Sequence, residues 1–212
     1  MSAPLIAVLD YGIGNLRSAQ KALQRMGADA RLTADAKLIA DAAGVVLPGV
    51  GAFGPCMEAL RRSGLDEPAR AATDDGRPFL GICIGLQLLY EGSEEAPNMA
   101  GLGVLEGTVK LLKGNVKRPQ MQWNRLDFVG SRAAASVPFV LQGLEGAWVY
   151  FVHSYCVPMS PNVVAVCDYG GPVPAVVAKR NVCATQFHPE KSSGPGLTLL
   201  ANFVRQTQAA AA

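Results

Sequence analysis

The 212-residue sequence lacks long apolar runs and any field of charge of one sign. No apolar run approaches the ~20 residues that cross a bilayer, so we expect no membrane partner. The 19 basic and 17 acidic side chains are interspersed, which argues against nucleic acid as a partner. A local basic cluster is interpreted as a solvated face, the alternative being a phosphate-attracting or partner-binding edge; it comprises Lys110, Lys113, Lys117 and Arg118.

Cysteine is scarce, odd in number and never arranged as a CxxC pair. The cysteines are Cys56, Cys83, Cys156, Cys167 and Cys183. This spacing indicates neither a disulfide framework nor a zinc site, so we expect a reducing compartment and no metal or cofactor. The N-terminal segment MSAPLIAVLD also lacks a charged leader and a cleavage site, so we expect a cytoplasmic protein.

The first half of the chain alternates short apolar runs with amphipathic segments. LIAVLD at 5–10 precedes a predicted helix from about Leu16 to Met26, and VVLPG follows at 45–49. PFLGI at 78–82 is a continuous apolar strand suited to burial on both faces. The pattern is typical of βαβ units, and it predicts an α/β fold with Leu5, Val45 and Phe79 in central, mostly parallel strands.

After about Leu102 the pattern changes to closely spaced strand candidates separated by Gly, Pro and Asn turns. They are VLEGTVKLL, NRLDFV, AWVYFVHSY, VVAVCDY, PAVVAKR and VCATQF. We expect added antiparallel strands here, and a closing helix from about Pro195 to Gln206. No linker divides the chain, so residues 1–208 are predicted to form a single domain, with 209–212 as a frayed tail.

Gly81-Ile82-Cys83-Ile84-Gly85 stands between a buried strand and the helical run LQLLY, which is the arrangement of a nucleophile elbow. The turn between strand and helix is sharp, so glycine is needed on both sides of the nucleophile. The alternative is an ordinary buried cysteine flanked by packing glycines.

A cysteine nucleophile needs a base, and the chain contains only two histidines, His153 and His188. His188 follows the strand VCATQF and is separated from Glu190 by one proline, which restricts the backbone between them. We expect the imidazole to act as acid and base toward Cys83 and the carboxylate to set the imidazole tautomer. Taken alone, His188 is equally compatible with a structural role.

Pro48-Gly49-Val50-Gly51 follows another predicted strand and offers flexible backbone N–H groups at its carboxyl end. These groups can form half of an oxyanion hole, with the Ile84 N–H as the other half. A phosphate loop is the competing interpretation, but the GxGxxG spacing and the P-loop lysine are missing. The segment from Asp10 to Asn15 invites a dinucleotide-binding interpretation, but it also lacks one glycine of the GxGxxG spacing.

Taken together, GICIGLQ, PGVGAF and QFHPEKS resemble, in the family's order, the signature segments of the class I (triad) glutamine amidotransferases. DYGIGNLRS, QWN and YFVHSY further resemble the glutaminase subunits of imidazole glycerol phosphate synthase, of histidine biosynthesis. The resemblance covers nearly the whole chain. It implies a flavodoxin-like α/β sandwich, in which a central, mostly parallel sheet is flanked by helices and extended by antiparallel strands.

The resemblance also implies a reaction. Cys83 would form the glutamyl thioester, His188 would protonate the leaving ammonia and then activate water, and Glu190 would orient His188. Substrate contacts are implied at Gly49, Val50, Gly51, Ile84, Gln87, Glu95, Ser154 and Tyr155. Glu95 would face the α-ammonium of glutamine and the backbone at Ser154 and Tyr155 would face its α-carboxylate, which leaves His153 as a structural neighbour.

A partner is implied as well: a (β/α)8-barrel synthase (cyclase) subunit in a heterodimer. With ammonia it would make imidazole glycerol phosphate and an aminoimidazole carboxamide ribonucleotide, and Asn15, Trp123 and Lys191 would face it. Gln120-Met121-Gln122-Trp123-Asn124 departs from the His-Met-Gly-Trp-Asn pattern usual in the family. The alternatives are a glutaminase that serves another synthase, such as those making pyridoxal phosphate, anthranilate or guanylate, and a catalytically silent interaction domain.

Overall fold

The computed structural model of the chain describes residues 3–130 and 138–210. Strands and helices are interleaved as far as Leu88, with two successive helices before Phe79, and strands dominate from there to Thr185. Within these ranges the strands are β1 (Leu5–Leu9), β2 (Asp29–Thr33), β3 (Gly44–Leu47), β4 (Phe79–Ile82), β5 (Tyr90–Ser93), β6 (Leu105–Leu111), β7 (Gln120–Arg125), β8 (Asp127–Phe128), β9 (Trp148–His153), β10 (Tyr155–Cys156), β11 (Val163–Asp168), β12 (Pro172–Lys179) and β13 (Val182–Thr185).

The helices cover the sheet and close the chain. They are α1 (Leu16–Arg25), α2 (Ala36–Asp41), α3 (Phe53–Arg62), α4 (Asp66–Asp74), α5 (Ile84–Leu88) and α6 (Ser193–Ala210), with short 3₁₀ turns at Phe139–Leu141 and Pro189–Lys191. The predicted closing helix exists but begins two residues before Pro195. Residues 209 and 210, expected in a frayed tail, continue α6, whereas 211 and 212 lie outside the described residues.

An eight-stranded sheet forms the centre, in the order β2-β1-β3-β4-β13-β12-β11-β8. The strands β2, β1, β3, β4 and β13 pair in parallel with their neighbours in this order. The strands β12, β11 and β8 then extend the sheet by antiparallel pairing. Every residue of β3 and β4 is buried, as expected for continuous apolar strands that are covered on both faces. The predicted α/β fold is confirmed, with Leu5, Val45 and Phe79 in β1, β3 and β4.

Two smaller sheets carry much of the second half, in the orders β10-β6-β5 and β7-β9. The LQLLY run is not helical to its end, because α5 stops at Leu88 and Tyr90 begins β5. The Leu88 and Tyr90 carbonyls accept hydrogen bonds from Leu102 N–H and Gly103 N–H at 2.8 and 3.2 Å. These long-range bonds take the place of helical ones.

No helix in residues 3–130 or 138–210 combines the length and the apolar character needed to cross a bilayer.

Candidate active site

Three neighbouring strands, β3, β4 and β13, end at the same edge of the sheet. Ile82 is paired with Thr185 at the ends of β4 and β13, so the segments after these strands emerge side by side. Ligands of open α/β sheets bind outside the carboxyl ends of such strands. A cleft of about 440 Å³ lies at this edge.

Cys83 occupies the sharp turn between β4 and α5. Its φ of 54° is in the left-handed region, which is strained for a residue with a side chain. Its N–H donates to the Thr185 carbonyl at 2.7 Å, so the strained residue is held against β13. The side chain is 4% exposed and lines the cleft. This geometry is that of the predicted nucleophile elbow.

The glycines beside Cys83 are required by close approach of the backbone. A Cβ atom on Gly85 would lie 1.9 Å from the Leu47 carbonyl oxygen, a contact that β3 cannot relieve without moving. At Gly81 a Cβ atom would lie 3.0 Å from the Ala184 Cβ. The Gly-x-Cys-x-Gly pattern is therefore what permits a helix to start directly against β3.

Gly85→Ala is expected to destabilise the fold by about 3 kcal/mol or more, because the added methyl group overlaps backbone. Gly194→Ala is the matched control, since a Cβ atom there meets open space in α6. Urea denaturation of the two variants measures the difference in free energy of unfolding. Equal stability would contradict the steric account of the elbow.

His188 follows β13, and its N–H donates to the Tyr150 carbonyl at 3.1 Å. The His188 Nδ1 lies 2.8 Å from Glu190 Oε1, with both side chains almost fully buried. Ser192 supports the pair, since its hydroxyl donates to the His188 carbonyl at 2.6 Å. Because Glu190 accepts the Nδ1 proton, the other ring nitrogen, Nε2, is left for the cleft.

Burial lowers the pKa of His188, but hydrogen bonding to Cys83 and Glu190 outweighs it and raises the pKa to about 9. At neutral pH both ring nitrogens of His188 are therefore protonated. In the described part of the chain, Nε2 has no hydrogen bond of good geometry, although the Cys83 side chain is close enough to affect the titration. Both observations place the imidazolium next to the sulfur without a fixed contact.

Two glutamines connect the nucleophile to the wall of the cleft. Gln186 Nε2 donates to the Cys83 sulfur at 3.7 Å, and Gln186 Oε1 accepts from Gln87 Nε2 at 3.1 Å. Gln87 Nε2 also donates to the Tyr155 carbonyl at 3.1 Å. Glu95 is anchored separately, because its Oε2 accepts from the Phe53 N–H at 2.7 Å.

The segment from Pro48 to Gly51 lies beside α5. Gly49 has no room for a side chain, since a Cβ atom there would lie 2.6 Å from the Tyr11 hydroxyl. That hydroxyl donates to the Pro48 carbonyl at 2.7 Å, and the Cys56 thiol donates to the Val50 carbonyl at 3.4 Å. Gly51 differs, because it has a φ of +103° and open space around it.

The structure brings most of the predicted site residues to one cleft. Those that line it are Asn15, Val50, Gly51, Cys83, Ile84, Gln87, Glu95, Ser154, Tyr155, His188 and Lys191. Glu190 lies behind His188, and Gly49 lies behind Ile84. Trp123 does not line the cleft; it stands on β7, is 43% exposed and meets the Tyr150 ring edge-on.

Several contributing residues were missed from the sequence. Gln186 touches the nucleophile, Ser192 holds His188, and Tyr11 holds the Pro48 carbonyl. Gln186 and Ser192 lie on either side of the His-Pro-Glu segment, and this position was the one feature of the sequence that could have indicated their roles. His153, predicted to be a structural neighbour, also lines the cleft.

Known proteins similar to this chain show its family. The sequence model of the family Glutamine amidotransferase class-I matches residues 7–207. The chain is 45% identical over 210 residues to the imidazole glycerol phosphate synthase subunit HisH of Deinococcus radiodurans, covering 97% of this chain and 95% of the relative. It is 47% identical over 203 residues to the protein of the same name from Rhodopirellula baltica, with 94% and 96% covered.

A solved structure described as a glutamine amidotransferase is similar in fold. The TM-score is 0.74 at 22% sequence identity, with 96% of this chain and 98% of the other covered. At that identity the likeness concerns the fold alone.

Proposed function

Because the chain belongs to the class-I glutamine amidotransferase family, we propose that it hydrolyses glutamine to glutamate and ammonia as the glutaminase subunit of imidazole glycerol phosphate synthase. One observation carries the catalytic part: a strained cysteine and a buried histidine line one cleft, and a buried carboxylate lies 2.8 Å from the Nδ1 of that histidine. The near-full-length likeness to two subunits named HisH supports the specific synthase.

In the proposed reaction the Cys83 sulfur attacks the carboxamide carbon of glutamine, and the C–N bond breaks as ammonia leaves. His188 carries the proton that the leaving nitrogen takes, since its pKa is about 9. The neutral ring then removes a proton from the water that hydrolyses the thioester to glutamate and free thiol. Glu190 accepts the hydrogen bond from the His188 Nδ1–H throughout the reaction, so that Nε2 faces the reacting atoms.

The remaining cleft residues are assigned to binding. Backbone N–H groups of the Gly49–Gly51 segment and of Ile84 would receive the oxyanion. Gln87 would hold the glutamine substrate, Glu95 would face its α-ammonium group, and the backbone at Ser154 and Tyr155 would face its α-carboxylate. The Phe53 N–H fixes the orientation of the Glu95 carboxylate. This supports the role of Glu95 as an anionic contact that is in place before the substrate binds.

The ammonia would pass to a (β/α)8-barrel synthase subunit in a heterodimer. An exposed apolar surface on β7 and β9 supports a partner here: Met121, Trp123 and Trp148 are 63%, 43% and 57% exposed. Exposed aromatic and methionine side chains in one patch are typical of protein interfaces. Asn15 and Lys191 lie at the cleft and would face the same partner.

Gln122 departs from the glycine usual in the family, and it is exposed on β7 opposite Phe151. Gln120 is buried and donates to the Cys167 sulfur at 3.6 Å. Neither side chain lines the cleft, so the proposed glutamine chemistry does not depend on them.

Co-purification with the synthase subunit of the same organism tests the proposal. The complex, given glutamine and the phosphoribulosyl-formimino nucleotide, should form imidazole glycerol phosphate and glutamate in equal amounts. Glutamate formation without imidazole glycerol phosphate would assign the glutaminase to another synthase. Absence of glutamate would identify the chain as a silent interaction domain.

The alkaline limb of the pH profile should report His188. Its pKa is raised, so the acid form is present below about pH 9 and is lost above it, and kcat/KM should fall there. Glu190→Gln removes one of the two groups that raise this pKa, so the limb should move to lower pH. The measurement is glutamate release by the complex between pH 6 and 10.

Glu106→Gln is the control, since it removes the same charge from an exposed position of β6. That variant should keep the wild-type profile. An unshifted limb in Glu190→Gln would remove Glu190 from the proposed triad.

A further inference from the structure

Gln186 is a buried glutamine whose side chain contacts the sulfur of Cys83. It follows β13, and its backbone N–H donates to the Ala175 carbonyl of β12 at 2.8 Å. The side-chain Nε2 lies 3.7 Å from the Cys83 sulfur. Because Gln186 is 0% exposed, this contact is shielded from bulk water.

The hydrogen bonds around Gln186 determine which atom of its amide faces the sulfur. The Tyr155 carbonyl only accepts, so the amide nitrogen of Gln87 must face it, at 3.1 Å. The same nitrogen also donates to Gln186 Oε1 at 3.1 Å, which leaves the Nε2 of Gln186 to face Cys83. A backbone carbonyl therefore orients, through two glutamines, an N–H donor toward the proposed nucleophile.

A fixed N–H donor distinguishes the two protonation states of a cysteine. The sulfur of a neutral thiol is a weak acceptor, whereas a thiolate is charged, and hydrogen bonding to the charged form favours that form. The thiolate is the attacking species of the proposed reaction, and it is also the group that leaves when water hydrolyses the thioester. The donor therefore favours both the nucleophile before attack and the departure of the sulfur afterwards.

Two buried glutamines are not what the stability of the fold requires at this place. Replacing both partners of a buried hydrogen bond by apolar groups of the same shape is nearly neutral for stability. Gln87 is 1% exposed, and its Oε1 has no hydrogen-bond partner in residues 3–130 and 138–210, which costs stability. A pair that is kept at such a cost and faces the proposed nucleophile supports a role in the reaction.

We propose that Gln186 is a catalytic residue whose side-chain N–H stabilises the Cys83 thiolate, and that Gln87 is the positioning residue that orients the Gln186 amide. The assignment rests on the proposed function, because it takes Cys83 as the nucleophile. Loss of the donor should lower the fraction of thiolate at neutral pH. It should also slow glutamine turnover.

Other titratable groups surround the same sulfur. His188 follows β13, Tyr11 follows β1 and Cys56 lies on α3, and the titration of each is coupled to that of Cys83. Glu95 lines the same cleft. An experiment that leaves all of them in place and changes only the amides isolates the contribution of the donor.

Three methionine variants of the complex with its synthase subunit test the role, because methionine fills the space of a glutamine without its amide. Gln186→Met removes the donor, and Gln87→Met removes the group that orients it. Gln120→Met is the matched control, since Gln120 is also 0% exposed and donates to a sulfur, that of Cys167, at 3.6 Å. Ammonia-dependent synthesis verifies that each complex is assembled.

The rate at which iodoacetamide alkylates Cys83, followed by mass spectrometry over a range of pH, reports the thiolate without any turnover of glutamine. The pH midpoint of alkylation should rise by roughly one unit in Gln186→Met, as expected when one hydrogen bond to a charged group is lost, and by less in Gln87→Met. By the same reasoning, glutamine turnover should fall roughly 10-fold in Gln186→Met. Gln120→Met should keep the wild-type midpoint and turnover.

A wild-type midpoint in Gln186→Met would overturn the proposal, and so would an equal rise in Gln120→Met, which would show a general effect of losing a buried amide. If Gln186→Met does not assemble with its partner, an unchanged midpoint in Gln87→Met overturns the proposal instead. A wild-type complex that releases no glutamate from glutamine refutes the proposed function, whatever the alkylation shows. Glutamate release together with an unshifted midpoint in Gln186→Met refutes only the role of Gln186.

Discussion

Cys83→Ala is expected to lower glutamine-dependent synthesis by the complex by roughly 10⁴-fold or more, which is the order found when a covalent nucleophile is removed. Synthesis from added ammonium salts should stay nearly unchanged, because in the proposed division of labour the partner accepts ammonia from any source. Product formation is measured with each nitrogen donor in turn. The ratio of the two rates isolates the glutaminase step from the synthase step.

Cys183→Ala is the matched control for this experiment. Cys183 lies on β13, is almost fully buried, and burial raises the pKa of its thiol to about 12. Its replacement should cost only packing and leave both activities in place. Equal loss of glutamine-dependent and ammonia-dependent synthesis in Cys83→Ala would contradict the proposed division of labour.

The chain without its partner is expected to release glutamate about 10²- to 10³-fold more slowly than the complex with its nucleotide ligand, which is the effect of one missing oxyanion donor. Ammonia made without an acceptor is lost to solvent, so a site completed only in the loaded complex avoids waste. Such control needs a backbone segment with two states. The Pro48–Gly51 segment is the candidate.

The structure distinguishes the two glycines of this segment. Gly49 is confined by Tyr11 and Ile84, whereas Gly51 has a φ of +103° with open space around its Cα. The Cys56 thiol holds the Val50 carbonyl, which defines the orientation of the peptide between Val50 and Gly51. We expect the peptide between Gly49 and Val50 to rotate and aim the Val50 N–H into or out of the oxyanion hole, while Tyr11 and Cys56 hold the Pro48 and Val50 carbonyls on either side of it.

Steady-state glutamate release should be measured for the chain alone, with unliganded partner, and with partner plus nucleotide. The same turnover in all three conditions would rule out the mechanism. Gly51→Pro should keep activity low even in the full complex, because proline has no N–H and fixes φ near −65°. Ammonia-dependent synthesis by that variant complex verifies that the assembly is intact.

Much of the fold could be predicted because its strongest signals are local. The apolar runs that became β1, β3 and β4 are too short for helices and are buried on both faces, so length and composition sufficed. β2 and α2 were not predicted. β2 alternates Asp29, Arg31 and apolar residues at the edge of the sheet, and α2 is a six-residue helix started by the Asp35 side chain.

The parallel pairing of β13 with β4 was also not predicted from the second half of the sequence. VCATQF follows antiparallel candidates and looks like one of them. Its direction is set by the partner strand, and no local pattern records which strand that is. This pairing is nevertheless what brings His188 beside Cys83.

Residues of the site were predictable where the chemistry constrains residue type and spacing. The glycines around Cys83 and the proline before Glu190 are of this kind. Gln186 and Tyr11 were not predictable, because each acts through one long-range contact, 103 and 37 residues from its partner.

Covalent trapping tests the central claim most directly. A glutamine analogue with an electrophilic carbon in place of the carboxamide should modify the complex once per chain, and mass spectrometry of the digested protein should locate the adduct on Cys83. Excess glutamine should prevent the labelling. An adduct on Cys56, Cys156, Cys167 or Cys183, or labelling of Cys83 that glutamine does not reduce, would contradict the account.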